Sequence, residues 1–268
     1  MTGDQEPIAS ARAGAPARAM SGAATGVSPI DAPGTGEAIW QAWTGLGLLP
    51  EIDPDRWRSA VILAAHPDDE VLGAGGTIAR LASKGCRLRL IAVTDGEASH
   101  PGHRDPAGLA RRRAEETLAA LKVLGAGSCE VIRLGLPDAG LTGRQDELAA
   151  AIAEWVRGFD MCLAPWDGDL HGDHEAVGRA VRQLGGPVCF YPVWMWHWAR
   201  PADTRSPWTH ALRVPLPVQI SNLKQAAIAC FGSQLEDRAP GLPPMLSPEF
   251  LAHFTRDYEV LFPVEARS

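Results

Sequence analysis

Residues 59–76, SAVILAAHPDDEVLGAGG, show how this chain begins its fold. The apolar run through His66 predicts a buried strand, and Pro67 keeps His66 extended and sharpens the turn that follows. The small and apolar residues after the turn predict a helix over 71–83. The turn itself carries three carboxylates, at 68–70. Because ligands bind beyond the carboxyl ends of the strands in an open parallel sheet, we expect His66 to lie at a ligand-binding edge.

The rest of the chain repeats this alternation of strand and helix. Continuous β-branched runs separated by helical segments indicate βαβ units and a parallel sheet that is covered on both faces. The predicted fold is therefore α/β, a Rossmann-like three-layer αβα sandwich with a mostly parallel sheet. The predicted strands are 59–66, 87–94, 129–135, 159–165, 187–194 and 211–217, and the predicted helices are 71–83, 106–124, 144–157, 174–184 and 219–237.

Changes in composition divide the chain into a tail and one domain. Residues 1–36 consist mainly of small residues and proline, and they cannot bury enough apolar surface to offset chain entropy. We therefore predict a disordered tail over 1–36 and a single domain over 37–268. The domain would have a core over 58–194 and a C-terminal elaboration over 195–268, in which Lys224 is expected at the surface.

Composition and charge exclude several classes of protein. The chain has 268 residues and a formal net charge of −7, which gives no electrostatic footprint for nucleic acid. No apolar run approaches the roughly 18 residues that a membrane span requires, so no membrane span is expected. The five cysteines are odd in number and far apart, which favours reduced thiols and a cytoplasmic location. Nothing in the sequence predicts the oligomeric state.

A second group of ionisable residues follows another predicted strand end. Residues 166–177, WDGDLHGDHEAV, come after the strand FDMCLAP and lead into a helix. Histidines and carboxylates without thiolates suit Zn²⁺ or another divalent first-row metal, such as iron. Taken singly, the first group could be only a capped helix start and the second only a solvated acidic loop. Convergence of both groups at one sheet edge favours a metal site.

These two stretches resemble a known family. AHPDDEVLGAGGTI (65–78) together with HGDH (171–174) is similar to the PIG-L/LmbE-like family of metal-dependent N-deacetylases. The resemblance implies a zinc-dependent hydrolase that removes an N-acetyl or N-acyl group from a glucosamine-type sugar conjugate. By position, it implies that the metal ligands are His66, Asp69 and His174.

The same resemblance implies the catalytic roles. Asp68 would be the general base that deprotonates the attacking water. His171 would stabilise the oxyanion or protonate the departing amine, with Asp173 as its orienting neighbour. Arg113 and Glu116 fit an Arg-x-x-Glu spacing of the family and are expected to form a structural pair.

Three further residues are candidate substrate contacts. Asp138 in LPDAGL stands where relatives place a sugar-hydroxyl ligand, and Arg104 would line the same pocket. In YPVWMWHWARP, Trp194, Trp196 and Trp198 share one face if the segment is extended, so Trp196 is a candidate substrate wall. Packing in the core or in a lid is the alternative for these indoles.

Three other functions stay open at this point. A metal-dependent deacylase of a non-sugar amide would use the same residues. A metal-free Rossmann-type nucleotide-binding protein is a different class, but Gly73, Gly75 and Gly76 fit its fingerprint poorly and are expected to let the helix pack against the sheet. A non-catalytic binding protein is the third, although no expected ligand or base is missing.

Overall fold

The strands confirm the predicted α/β fold. The computed structural model describes residue 30 and residues 32–264. Within them the strands are β1 (Ser59–Ala64), β2 (Arg87–Thr94), β3 (Glu130–Leu136), β4 (Met161–Pro165), β5 (Val188–Tyr191), β6 (Leu212–Pro215) and β7 (Tyr258–Val264). They form one seven-stranded sheet in the order β3-β2-β1-β4-β5-β7-β6. The first five run parallel, and β7 is antiparallel to both of its neighbours.

Helices cover the sheet in the way a doubly wound fold requires. Among the described residues they are α1 (Glu37–Gln41), α2 (Asp69–Ser83), α3 (Pro106–Val123), α4 (Gln145–Val156), α5 (Gly172–Leu184), α6 (Met195–Trp198), α7 (Val218–Ile228), α8 (Gly232–Leu235) and α9 (Pro248–Leu251). Helices α2, α3 and α7 pack together, and α4 packs on α5. None of the described helices has the length and hydropathy needed to cross a bilayer.

The order of strands places a functional crevice. The chain moves outward from β1 to β2 and β3 and then returns to β4 on the other side of β1. In such sheets the crevice at the carboxyl ends of the two strands flanking the reversal is the usual ligand site. The turns after β1 and β4 therefore face each other, and these are the two turns that carry the histidines and carboxylates.

Two predicted segments differ from the observed ones. The helix expected over 219–237 is divided, because Phe231 adopts a non-helical conformation (φ −84°, ψ 56°) and buries its ring completely in the core. The tryptophan segment forms helix α6 instead of an extended strand, so Trp196 does not share a face with Trp194 and Trp198.

Most of the predicted tail, residues 1–29 and 31, lies outside the described residues. At its described end, the backbone N–H of Thr35 donates to the carbonyl of His197 (2.7 Å). The Thr35 hydroxyl donates to the carbonyl of Ala199 (2.6 Å), so this residue is packed against the domain.

Helix α2 contains a break, and a side chain from a distant strand accepts hydrogen bonds from the N–H groups that the break leaves free. Ala74 has φ −139°, which frees the next N–H groups from the helical pattern. The backbone N–H groups of Gly76 and Thr77 donate to the Glu259 carboxylate of β7 at 2.7 and 2.8 Å. The same carboxylate pairs with Lys224 Nζ at 2.7 Å, and both side chains are buried. We call this Glu259–Lys224 pair, with its backbone donors, the helix-break cluster.

Candidate metal centre and active site

The turn between β1 and α2 is tightly constrained. The backbone N–H of His66 donates to Asp69 Oδ2 at 2.8 Å and closes the turn. Asp68 adopts φ 112°, a left-handed conformation that an L-residue takes only under strain. Both carboxylates are buried. Strain at a buried acidic residue beside a crevice is typical of a functional position.

Three imidazoles meet at the crevice. His66 comes from the first turn, and His171 and His174 come from the start of α5. The ring centroids lie 4.9 Å apart for His66 and His171, 5.4 Å for His66 and His174, and 4.5 Å for His171 and His174. One nitrogen from each ring lies within 4.8 Å of the other two, which is close enough for a shared ion.

Carboxylates surround these rings. Asp69 lies between two of the histidines, with Oδ2 3.4 Å from His66 Nδ1 and Oδ1 3.2 Å from His174 Nε2. On the other side of His66, Nε2 lies 3.2 Å from Asp138 Oδ1 and 3.3 Å from Asp173 Oδ2. His66, Asp138 and Asp173 therefore form a second possible donor set that overlaps the three histidines.

The donor set fits a divalent metal. His174 Nδ1 bonds to Asp169 Oδ2 at 2.8 Å, which leaves Nε2 as a lone-pair donor when the ring is neutral. His171 Nδ1 is buried and forms no hydrogen bond with the described residues, and His174 Nε2, also buried, lies 3.2 Å from Asp69 Oδ1 without the geometry of a hydrogen bond. Buried polar atoms without partners are rare in native proteins and call for an explanation such as an ion. Imidazoles and carboxylates are the ligands that zinc and related metals use.

Burial and neighbouring charges shift the pKa values in this cluster. Burial opposes protonation of His66, but the carboxylates of Asp138, Asp173 and Asp69 outweigh it and raise the pKa of His66 well above its usual range. Burial and the two neighbouring histidines lower the pKa of His171 to about 3. Burial raises the pKa of Asp68 to about 7, although the nearby guanidinium opposes the change.

Arg113 fixes the turn that carries Asp68. Its Nη2 lies 3.1 Å from Asp68 Oδ2 and donates to the carbonyl of Pro67, while Nη1 donates to the carbonyl of Gly96. The expected Arg113–Glu116 pair is replaced, because Glu116 pairs instead with the neighbouring Arg112 on α3. Sequence spacing could not distinguish these adjacent arginines.

Asp173 contacts a different histidine from the one expected. Its carboxylate accepts hydrogen bonds from the backbone N–H groups of Ala139 and Leu141 at 2.8 and 3.0 Å. The same carboxylate also contacts His66 Nε2. It therefore joins the loop after β3 to the first histidine instead of hydrogen-bonding to the His171 ring.

Asp169 is a functional candidate that the sequence did not single out. It is fully buried and accepts the backbone N–H groups of Val193, Trp194 and Met195 in addition to the His174 ring. One carboxylate thus orients a histidine and fixes the chain at the start of α6. Its only sequence signal was its place in the acidic loop before His171, which several residues share.

A cavity of about 190 Å³ opens above the cluster. His66, Asp68 and Asp138 border it, while Trp194 and Phe250 form an aromatic wall with centroids 4.6 Å apart.

Two candidate substrate residues do not line this cavity. Arg104 is exposed on the loop before α3. Trp196 is buried, and its indole packs edge-on against Trp40 at a centroid distance of 5.1 Å. The helical conformation of the segment turns Trp194 to the cavity and Trp196 into the core, which an extended strand would not do.

The fold and this site define a doubly wound α/β protein with a histidine–carboxylate site that fits a metal. A family model for GlcNAc-PI de-N-acetylase, PIG-L, matches residues 61–184. A 1D-myo-inositol 2-acetamido-2-deoxy-alpha-D-glucopyranoside deacetylase of Streptomyces avermitilis is 30% identical over 219 residues, covering 68% of this chain and 70% of that protein. The chain belongs to the PIG-L family.

Other comparisons cover different shares of the relatives. A deacetylase of the same name from Kineococcus radiotolerans is 32% identical over 164 residues, and the match spans 48% of this chain but only 45% of that relative. The N,N'-diacetylchitobiose deacetylase of Pyrococcus horikoshii shares the fold, with a TM-score of 0.57, 19% identity, and coverage of 85% of this chain and 92% of that chain.

Proposed function

We propose that this protein is a metal-dependent N-deacetylase of compounds that contain N-acetylglucosamine. The observation that carries the proposal is the meeting of three histidines with Asp68 and Asp69 beneath one cavity at the strand-order reversal. Membership of the PIG-L family supports the reaction, and the activities for which the relatives are named support a sugar-conjugate substrate.

We assign the metal to His66, Asp69 and His174. These residues supply two imidazoles and a carboxylate, and Asp169 orients His174 from behind. Zinc is the metal we favour, with iron or another divalent ion as the alternative for the same donors. A metal bound there would polarise the amide carbonyl and make water easier to deprotonate.

The remaining residues of the cluster move protons and hold charge. Asp68 takes a proton from the attacking water while the water oxygen adds to the acetamide carbonyl carbon. Arg113 holds the Asp68 carboxylate toward the cavity. His171 donates a hydrogen bond to the oxyanion that develops on the carbonyl oxygen. The proton then passes to the amine nitrogen, the C–N bond breaks, and acetate and a free amine leave.

Two experiments test this function together. Metal content would be measured on the purified protein, and released amine would be assayed over a panel of N-acetylated sugars, sugar conjugates and non-sugar amides. We expect about one metal per chain, activity on N-acetylglucosamine compounds, and loss of both on chelation, with recovery on adding zinc. The Asp68→Asn variant is the matched control because it retains all three ligands.

The panel also separates the alternatives. If only non-sugar amides were turned over, the proposed sugar substrate would be wrong, but the proposed mechanism would stand. A protein without metal that binds a nucleotide would overturn the proposal. The carboxylates at the β1–α2 turn argue against the latter, since a pyrophosphate would have to sit beside them.

We also propose a cytoplasmic location. All five cysteines are unpaired, which suits a reducing compartment.

A further inference from the structure

Gln234 borders the cavity but has no role in the chemistry described above. It lies in α8, it is fully buried, and it is one of the residues that line the same cavity as His66 and Asp68. Its backbone carbonyl accepts the N–H of Leu246 (3.0 Å), another residue of the cavity wall. The residue is therefore held at the edge of the site by main-chain and side-chain contacts.

A chain of hydrogen bonds determines which way the Gln234 amide points. The Ser233 hydroxyl donates to Glu116 Oε2 at 2.6 Å, and the Ser233 backbone N–H donates to Glu116 Oε1 at 2.7 Å. A hydroxyl has a single proton, so the Ser233 oxygen must act as acceptor toward its other neighbour. That neighbour is Gln234 Nε2, at 2.9 Å. The nitrogen is thereby committed to Ser233, and the oxygen Oε1 points away from it.

The acceptor at the end of this chain is fixed in place. Arg112 Nε lies 3.1 Å from Glu116 Oε1, so a guanidinium holds the carboxylate as an acceptor. Reversing the Gln234 amide would set its oxygen against the Ser233 oxygen with no proton between them. The orientation is therefore set by a carboxylate on α3.

Gln234 Oε1 lacks a partner. It is buried and accepts no hydrogen bond from any of the residues that the structure describes. A buried acceptor without a partner costs about 1–3 kcal/mol, so a donor that enters the cavity would stabilise this oxygen. The wall of the cavity also includes the apolar side chains of Met245, Leu246 and Phe250.

We infer that Gln234 Oε1 accepts a hydrogen bond from a hydroxyl of the sugar ring and is a specificity-determining residue. The inference rests on the proposed function. A carbonyl oxygen can only accept, so it recognises groups that donate, and hydroxyls are the donors that a glucosamine ring offers beside its amide. A buried polar group built to bond a hydroxyl discriminates strongly against an analogue that lacks it.

The test uses N-acetylglucosamine derivatives that each lack one ring hydroxyl. The wild-type protein should lose about 10- to 100-fold in kcat/KM on one of these analogues. Gln234→Met keeps the length of the side chain but removes the acceptor. Its kcat/KM on the parent compound should be lower than that of the wild type by a similar factor, whereas on that analogue the two proteins should have the same kcat/KM. A side chain with only a structural role would instead lower kcat/KM equally on every compound, and equal penalties in both proteins would overturn the inference.

Ser233→Ala is the matched control, and product binding is the second measurement. Ser233→Ala removes the anchor but keeps the acceptor, so it should weaken the discrimination less than Gln234→Met does. Calorimetric binding of the glucosamine product and its deoxy analogues makes the same comparison without turnover. Selective binding without deacetylation would overturn the proposed function and support the role of Gln234 in hydroxyl recognition. Deacetylation with unchanged selectivity in Gln234→Met would support the proposed function and overturn that role.

Discussion

Helix α2 is associated with two buried clusters of charged side chains that differ in how completely they are paired. In the helix-break cluster, the Glu259 carboxylate accepts hydrogen bonds from the backbone N–H groups of Gly76 and Thr77 and from Lys224 Nζ. At the start of the helix, the histidine–carboxylate cluster leaves His171 Nδ1 and His174 Nε2 without hydrogen bonds. A polar cluster that is fully paired by its own chain stabilises a local structure, whereas one with free donors and acceptors is prepared for a ligand.

The strongest test of this difference is removal of a histidine that has a free nitrogen. His174→Ala should abolish metal binding and reduce deacetylation below detection, because it removes one of the proposed ligands. Metal analysis of the purified variant and a released-amine assay measure the two losses. Retention of metal at the wild-type level would show that the ion is held by other residues.

Asp68→Asn should separate chemistry from metal binding at the same cluster. The amide cannot take a proton from water, so kcat should fall about 10²- to 10⁴-fold while metal content stays at the wild-type level. Single-turnover kinetics and metal analysis of one preparation check both parts. A variant with full activity would remove Asp68 from the role of base.

A substitution in the helix-break cluster should change the stability of the protein. Lys224→Met leaves the Glu259 carboxylate buried without its cation and should lower the free energy of unfolding by about 3–5 kcal/mol. Urea denaturation measures this change. The double variant Lys224→Met/Glu259→Gln should recover part of the loss, since no unpaired charge is left. A single variant as stable as wild type would mean that the pair has no structural role.

Glu37, a buried carboxylate outside both clusters, gives the smallest effect and a dependence on pH. Glu37 Oε2 lies 2.8 Å from His253 Nδ1, and Arg256 Nε donates to Oε1 at 2.8 Å. Burial works against the ionised form, but these two partners outweigh it and lower the pKa of Glu37 from 4.5. Its ionised form therefore adds stability above pH 4.5, and this contribution is lost as the pH falls through the lowered pKa.

Glu37→Gln should accordingly be less stable than wild type by about 1–2 kcal/mol at pH 7. The difference should shrink on acidification below pH 4.5. Urea titrations of both proteins at several pH values measure it, and a difference that grew toward low pH would contradict the assignment.

Sequence periodicity predicted the centre of the sheet because β1, β2, β4 and β5 are continuous apolar strands that are mostly or wholly buried. The strand expected over 87–94 matches β2 in both bounds, and the helix over 106–124 matches α3 to within one residue. The expectation that the glycines let α2 approach the sheet also agrees with the structure, since a Cβ at Gly73 would lie 2.0 Å from the Tyr191 ring. The positions of His66 and His174 followed from topology, because strand ends meet at one edge.

Long-range pairing of charges could not be predicted. Lys224 was expected at the surface because lysine is seldom buried, and only the structure brings Glu259 beside it. Asp169 was one acid among several in its loop, and its role depends on the backbone of residues more than twenty positions away. Gln234 carries no charge and matched no motif, so its importance depends wholly on the hydrogen bonds around it.

The left-handed backbone of Asp68 has a consequence for the history of the protein. Glycine adopts that conformation without penalty, so Asp68 accepts a less stable turn in exchange for a carboxylate at the cavity. In a descendant that no longer performed the reaction, selection for stability alone would favour glycine there. A glycine at this position, next to intact histidines, would therefore mark a lineage that has kept the fold and given up the chemistry.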